Sequence, residues 1–480
     1  MAGVLEQVYA RSPLWLQQVG MTAYGAMWKR RRFGKWFREA VPRFALRDSF
    51  SELEWEEYQT RELRRLLRSA GETVPYYRDR FHSAGISSHD LVHFHPRDLI
   101  RLPILEKDDI RDDPMSIVSE AARNLKLHTY KTSGTTGTPM EIKFSTLVHQ
   151  LWSAAYEVRC RHWAGVNNGM SRAMIGGRLV VPDANASPPF WRYNAAERQL
   201  YMSAFHISPA NARHYAEALS RFKPDYLVGY ASAHFFLARL FDELRLQVHS
   251  PKAVLTSSEK LTEEMRDVIE RVYRCKVFDA YSGVEACCLA SECEHHRLHV
   301  SPDVGIIELL GDDGRPVRAG EVGEIVATGL LNDVQPLIRY RTGDYAILSP
   351  DRCSCGRQMP ILRELVGRLE DTVVGKDGRE MVRFHGIFVG LPNIREGQVV
   401  QDDYTKFRLR LAVTSTFGEG DRSTIRKRFK ERLGDVELSF EYVDRVERTA
   451  RGKYRAVVSH VRRKSQPIHG LAVATELENT

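Results

Sequence analysis

Apolar and charged residues alternate at helical spacing from Ser51 to about Ile86, with Leu63, Leu66 and Leu67 on one face and Tyr76, Tyr77 and Phe81 extending it. Helices are therefore predicted to dominate the start of the chain. From Leu125 onward, short apolar runs alternate with helical stretches. His214 to Leu219 and Ala233 to Leu244 read as helices, and Tyr226 to Gly229 and Ala253 to Leu255 as buried strands. Such alternation predicts an α/β layer structure. After Val300 the pattern becomes strands with tight turns: Gly305 to Leu310, the turn Asp312-Asp313-Gly314, then Gly323 to Thr328. A further change falls at Leu365 to Asp371, beyond which Phe407 to Val413, Arg422 to Leu433 and Val436 to Val443 suggest a small α+β unit.

The predicted organisation is an N-terminal amphipathic helical segment (1–50), a large domain (51–367) with a β-rich part at about 290–365, a small C-terminal lid domain (368–464) and a tail (465–480). A chain of 480 residues exceeds what one core usually serves, which agrees with more than one domain. Its formal charge of +8 gathers partly in Lys29 to Arg32 and Arg462 to Lys464. Without zinc-finger spacing, an RNA-binding aromatic signature or a sustained basic stripe, this charge does not point to nucleic acid. Mild basicity suits small anionic ligands.

Glu6 and Arg11 interrupt the apolar positions at the N-terminus, so no signal peptide is predicted. Ser12 to Trp28 carry no charge but are too polar to span a bilayer. They read as a helix packed on its own domain or, with Trp15, Trp28 and the basic run behind them, as one lying on an anionic membrane surface. Seven unevenly spread cysteines do not form a disulfide framework. The expectation is a cytoplasmic protein, with peripheral contact at the inner membrane surface as the alternative.

Tyr130-Lys131-Thr132-Ser133-Gly134-Thr135-Thr136-Gly137-Thr138-Pro139 packs hydroxyl residues and glycines between two apparent strands. Glycines let the backbone approach a phosphate, and hydroxyls add donors to exposed amides. No Gly-Lys-Ser/Thr ending follows, so this is not a Walker loop. Downstream come Ala280-Tyr281-Ser282-Gly283-Val284-Glu285, Tyr340-Arg341-Thr342-Gly343-Asp344, Gly367-Arg368 and Gly452-Lys453. In this order the segments resemble the motifs of the adenylate-forming superfamily. Val74-Pro75-Tyr76-Tyr77-Arg78 and Leu102-Pro103-Ile104-Leu105-Glu106-Lys107 look like phenylacetate-coenzyme A ligase, closest to its CapK-like branch.

The resemblance implies an AMP-forming ligase that activates a small carboxylic acid with ATP and Mg²⁺. It assigns the phosphates to Ser133, Gly134, Thr135, Thr136 and Gly137, and Mg²⁺ to Glu285. Tyr281 would lie near adenine with Ala280 and Ser282, and Asp344 would accept from the ribose hydroxyls. Ser257-Ser258-Glu259 would lie beside adenine and the acyl pocket. Arg368 would contact ribose or phosphate at the hinge, Lys453 would bridge carboxylate and α-phosphate, and His206 would touch the acyl carboxylate. Trp152, Tyr156, Phe235 and Phe236 are candidates for the acyl pocket or for the core.

Cys293, His299 and the pair Cys353 and Cys355 supply three sulfurs and one imidazole, the number of donors in closed structural zinc sites. The set resembles a zinc-binding insertion of phenylacetate ligase relatives, with His295, His296, Cys287 and Cys288 as competing donors. After Arg368 the text Leu369 to Arg379 departs from the family's pattern for receiving coenzyme A. Coenzyme A thiol is the leading acceptor. An amine, in surface-polysaccharide or natural-product biosynthesis, is the alternative, and an inactive nucleotide-binding scaffold is a reading of another class. Relatives imply a homodimer.

Overall fold

The computed structural model describes residues 8–131, 140–365, 373–446 and 457–461, apart from positions 177, 179, 182, 184–185, 260, 312, 377–379, 382–386, 389–390, 392 and 445. Its first part is helical. The helix Glu52–Thr73 starts at a capping box, in which Ser51 Oγ accepts from Glu54 N at 3.3 Å and Glu54 Oε2 accepts from Ser51 N at 2.7 Å. Pro75 ends that helix and opens the next, Pro75–Ser83, because it lacks an N–H to continue the ladder. None of the described helices is long and apolar enough to cross a membrane.

A hairpin, β1 (His128–Lys131) and β2 (Glu141–Phe144), comes next. The strands that follow are β3 (Arg172–Gly176), β4 (Trp191–Asn194), β5 (Gln199–Ser203), β6 (Tyr226–Gly229), β7 (Ala253–Ser257) and β8 (Lys276–Ser282). They continue as β9 (Leu289–Glu292), β10 (Leu298–Val300), β11 (Gly305–Leu310), β12 (Val322–Gly329), β13 (Tyr340–Leu348) and β14 (Ile361–Leu365). These twelve, β3 to β14, form one sheet in the order β11-β12-β13-β14-β10-β9-β8-β7-β6-β3-β5-β4. The run β5-β3-β6-β7-β8 is parallel, and every other pairing in the sheet is antiparallel.

Both faces of the parallel half are covered, which is why its strands read as continuous apolar runs. On β7 and β8, Val254 and Val277 pack with the helices Ala212–Phe222, Ala231–Glu243 and Glu263–Tyr273, burying Tyr215, Leu237, Phe241 and Ile269. Ala253, Leu255 and Phe278 point the other way. On that side Ala280 and Leu289 meet Phe37, Phe44, Ala154 and Val158 from the helices Lys35–Leu46 and Thr146–Tyr156 and the turn after the latter.

The C-terminal unit contains β15 (Val373–Val374), β16 (Glu380–Met381), β17 (Ile394–Asp403), β18 (Lys406–Val413), β19 (Glu437–Tyr442) and β20 (Val457–Ser459). Its four-stranded sheet, β19-β18-β17-β20, packs Val399, Phe407, Leu409 and Leu411 against Ile425, Phe429 and Leu433 of the helix Glu419–Leu433. The small α+β pattern expected here is seen as β18, the helix Glu419–Leu433 and β19.

Candidate active site

Five parallel strands end along one edge of the sheet, at Gly176, Ser203, Gly229, Ser257 and Ser282. In open α/β sheets this carboxyl-end edge is where ligands bind. Backbone conformation there is exacting. Gly229 has φ +151°, and a Cβ on it would lie 1.8 Å from the Ile175 carbonyl oxygen, so only glycine lets β6 run this close to β3. Ser258, directly after β7, holds φ +73° without being glycine, a conformation that costs energy and gathers at functional sites. It follows Ser257, and Glu259 completes the predicted trio at this edge.

The end of β8 carries the next group. Ala280 is buried and pairs with Ser257 on β7 and Ser291 on β9. Tyr281 donates its hydroxyl to Asp344 Oδ2 at 3.0 Å. Burial, and then the charge of Asp344, push that hydroxyl well above its ordinary range, so it remains a donor. Beyond Ser282 the chain turns through Gly283, where a Cβ would press on Glu285 Oε2, and Ala286, at φ +52°. This turn folds Glu285 back so that its Oε1 accepts from Tyr340 Oη at 3.2 Å.

Asp344 reaches Tyr281 because β13 bulges. Val326 pairs with Arg341 and Glu324 with Tyr345, so Thr342 to Asp344 loop out of the ladder. Gly343 supplies φ +77° inside the bulge, and Asp344 N donates to Thr342 Oγ1 at 3.1 Å. Lys107 Nζ donates to the Thr342 carbonyl at 2.6 Å. Arg341 spans Glu106, at 2.9 Å, and Glu324. The two motifs therefore lock reciprocally: Tyr281 of β8 holds Asp344 of β13, while Tyr340 of β13 holds Glu285 of the β8 turn. Two carboxylates are presented on fixed phenols at one edge.

His206 lies just past β5, and it is 2 % exposed. Its Nδ1 is 2.8 Å from Ser203 Oγ, its Nε2 is 2.8 Å from the Asp183 carbonyl oxygen, and its ring stacks on Phe190 at 5.0 Å. Both nitrogens are engaged within the protein. Phe235 and Phe236 sit in the core, and Trp152 and Tyr156 pack beside Ala280 and Leu289. Ser133, Gly134, Thr135, Thr136 and Gly137, together with Arg368 and Lys453, lie outside the described residues. The hairpin flanking the first group closes with Lys131 opposite Glu141, their side chains 3.5 Å apart.

Tyr340 and Lys107 were within motifs singled out from sequence, yet no role was read for either. Asp279 was missed altogether, although an acid inside the apolar run Val277 to Ala280 is itself a signal. It lies half-buried in β8, accepts from Thr256 Oγ1 at 2.7 Å, and is pushed up to about 7 by desolvation and then by Glu292.

Cys293 follows β9, His299 lies on β10, and Cys353 and Cys355 sit in the turn between β13 and β14. Their ligand atoms lie within 4.8 Å of one another. Cys293 Sγ is 3.7 Å from Cys353 Sγ, and Cys355 Sγ is 3.4 Å from His299 Nε2. Donors about 2.0 to 2.3 Å from a tetrahedral centre stand roughly 3.5 to 3.8 Å apart, so this S₃N set fits zinc. Burial, and then Arg357, push His299 down to about 4, leaving the neutral imidazole that ligation needs. His296 is occupied elsewhere, with Nδ1 3.0 Å from Arg266 Nη1. Cys287 and Cys288 pack in a separate core cluster.

Residues 373–460 match the family model of the CapK C-terminal domain. Over 469 residues the chain is 25 % identical to Protein CapK of Staphylococcus aureus, covering 96 % of this chain and 100 % of that one. It is 25 % identical over 326 residues to the phenylacetate-coenzyme A ligase of Thermus thermophilus, covering 66 % of this chain and 71 % of the relative. Among solved structures, 2-hydroxyisobutyryl-CoA ligase in the postadenylation state, in complex with R3-HIB-AMP, superposes with a TM-score of 0.55 at 21 % identity, covering 86 % of this chain and 91 % of that one. That likeness establishes the fold, a large mixed-sheet domain followed by a small C-terminal one. The chain is thus a relative of CapK along nearly its whole length and of phenylacetate-coenzyme A ligases over about two thirds of it.

Proposed function

We propose that the chain activates a carboxylic acid with ATP and passes the acyl group to the thiol of coenzyme A. In the first step a carboxylate oxygen attacks the α-phosphorus, the bond to the bridging oxygen breaks, and pyrophosphate leaves. In the second the thiol sulfur attacks the acyl carbonyl carbon, the acyl-phosphate bond breaks, and AMP departs as the thiol loses its proton. The observation that carries this reading is the reciprocal lock of Tyr281 on Asp344 and Tyr340 on Glu285 at the carboxyl-end edge of the parallel strands.

Two anions must meet in the first step, so neutralising and positioning charge is the main demand on the protein. Asp344, fixed through Tyr281, accepts from a vicinal diol such as the ribose hydroxyls. Ser257, Ser258 and Glu259, with Ala280, Tyr281 and Ser282, form the wall beside adenine. Glu285 offers a hard oxygen ligand, and Mg²⁺ held there would neutralise phosphate oxygens. Ser133, Gly134, Thr135, Thr136 and Gly137 would cradle those phosphates. Lys453 would bring a mobile point charge to the reacting carboxylate, and Arg368 would serve the hinge. His206, with both nitrogens engaged, is assigned a positioning role, tying the Asp183 segment to the end of β5. The Cys293, His299, Cys353 and Cys355 set would hold a structural zinc that pins β9, β10 and the turn before β14 together.

The phenylacetate-coenzyme A ligase relatives support coenzyme A as acceptor. The departure at Leu369 to Arg379 favours an amine as the second reading. Incubating the chain with ATP, Mg²⁺ and an acid panel, then supplying coenzyme A or amines, separates the two. Thiol consumption coupled to AMP release supports the first reading. Amide formation without thiol consumption replaces it with the second.

A further inference from the structure

The helix Leu14–Arg32 seats Met21 and Trp28 against the protein but leaves several other apolar side chains exposed. Gln17 is buried, where its Oε1 accepts from Arg192 Nε at 2.5 Å, and Gly25 is buried against Asn194. Arg32 pairs with Glu197, and Lys29 Nζ donates to the Ala196 carbonyl at 3.0 Å. The helix is thus seated on the sheet edge at β4 through polar contacts. By contrast Trp15 is 65 % exposed, Val19 56 % and Met27 55 %. At 3.6 residues per turn Trp15, Val19, Ala23, Leu16 and Met27 fall within one arc of about 120°. The opposite side anchors the helix, and among the described residues this arc is left exposed.

Contiguous exposed apolar surface marks an interaction site. Its surroundings specify the partner. The helix contains no acidic residue, and its last turn is Lys29, Arg30, Arg31 and Arg32. Arg30 falls inside the apolar arc by the same spacing; Arg11 before the helix and Lys35 and Arg38 on the next helix are also exposed, with Glu39 3.9 Å from Lys35. A second copy of the chain would bring like charges together around this face, whereas a surface of anionic headgroups meets both features at once. The helix does not qualify as a span, so it would lie in the plane of the interface. We infer that the exposed face of Leu14–Arg32 docks the protein on an anionic lipid surface, with Trp15, Val19 and Met27 entering the headgroup region and Arg30 pairing with lipid phosphates.

The test is co-sedimentation of the full chain with vesicles of phosphatidylcholine alone and with an equal mixture of phosphatidylcholine and phosphatidylglycerol. The wild type is compared with the triple variant Trp15→Glu, Val19→Glu, Met27→Glu. Binding to the anionic vesicles is expected to weaken with added salt and to fall about tenfold or more in the variant. The thermal midpoint of the variant should stay at the wild-type value, since all three side chains are exposed. Absence of binding to anionic vesicles, or equal binding by the variant, overturns the inference. A wild-type dimer that dissociates in the variant, without vesicle binding, assigns the face to a second copy and overturns it equally.

Discussion

Asp344 shows how much chemistry one residue draws from its neighbours. Its carboxylate is placed by a bulge, a positive-φ glycine and a phenol from another strand. The motif around it was legible in sequence; the partnership with Tyr281 was not, because β8 and β13 are apart in sheet order and meet only once the sheet folds over. Asp344→Asn removes the charge while keeping the shape. A hydrogen bond to a charged group contributes about 1.5 to 3 kcal/mol, so KM for ATP should rise roughly tenfold to a hundredfold with little change in thermal midpoint. An ATP titration of pyrophosphate release reads this, and an unchanged KM would remove Asp344 from the nucleotide site. Asp279 carries a different consequence. Burial, then Glu292, raise its carboxyl from the ordinary range to about 7, so the folded chain holds the proton more tightly than the unfolded one. The associated stability is complete below about pH 4 and is lost as pH climbs through about 7. Asp279→Asn, neutral at every pH, should therefore flatten the decline in thermal midpoint between about pH 5 and pH 8. Parallel profiles for the two proteins would contradict the assignment.

At the scale of elements, apolar runs made some strands readable and buried ion pairs hid others. β6 and β7 were anticipated because Tyr226 to Gly229 and Ala253 to Leu255 are continuous and nonpolar. β3 to β5 carry Arg172, Arg192 and Gln199, buried residues that look like surface in a sequence. Arg172 is satisfied by Glu197 at 2.9 Å, a pairing visible only in three dimensions. The turn Glu157–His162, a π-helix, follows the same logic. Arg159 is fully buried there, donating to the Phe44 carbonyl at 3.0 Å, to Asp48 and to Asp303 Oδ2 at 3.1 Å, and so fastens the N-terminal helices to the large sheet. Arg159→Ala leaves buried Asp303 with Arg47 alone and should cost about 3 to 5 kcal/mol in urea unfolding. Arg61→Ala, at an exposed pair, should cost no more than about 1 kcal/mol. Comparable losses would mean the buried network does not fasten these elements. The Cys293, His299, Cys353 and Cys355 cluster would join elements in another way if it holds zinc. Metal analysis should find one zinc per chain, and Cys355→Ser should lose it and lower the thermal midpoint by roughly 5 °C or more. A metal-free wild type of the same stability would dismiss the zinc.

The whole molecule carries the large mixed sheet of β3 to β14 and a separate four-stranded C-terminal sheet. The units touch where the Arg432 guanidinium lies 5.8 Å from the Phe205 ring centroid, one residue before His206. Burial, then Arg428, lower Arg432 to about 10. This contact puts the helix Glu419–Leu433 beside the edge that carries the site, although nothing in the local pattern of either segment announces the other. If the proposed function holds, Lys453 of the C-terminal segment serves a site framed by Asp344 and Glu285. Acid-dependent pyrophosphate release with ATP and Mg²⁺, measured across aryl, short-chain and amino acids for wild type and Lys453→Ala, tests it most directly. Release with at least one class of acid is expected, with a loss of about a hundredfold or more in the variant while ATP still binds. Release that persists undiminished in Lys453→Ala, or a wild type that binds ATP yet releases no pyrophosphate with any acid, would contradict it.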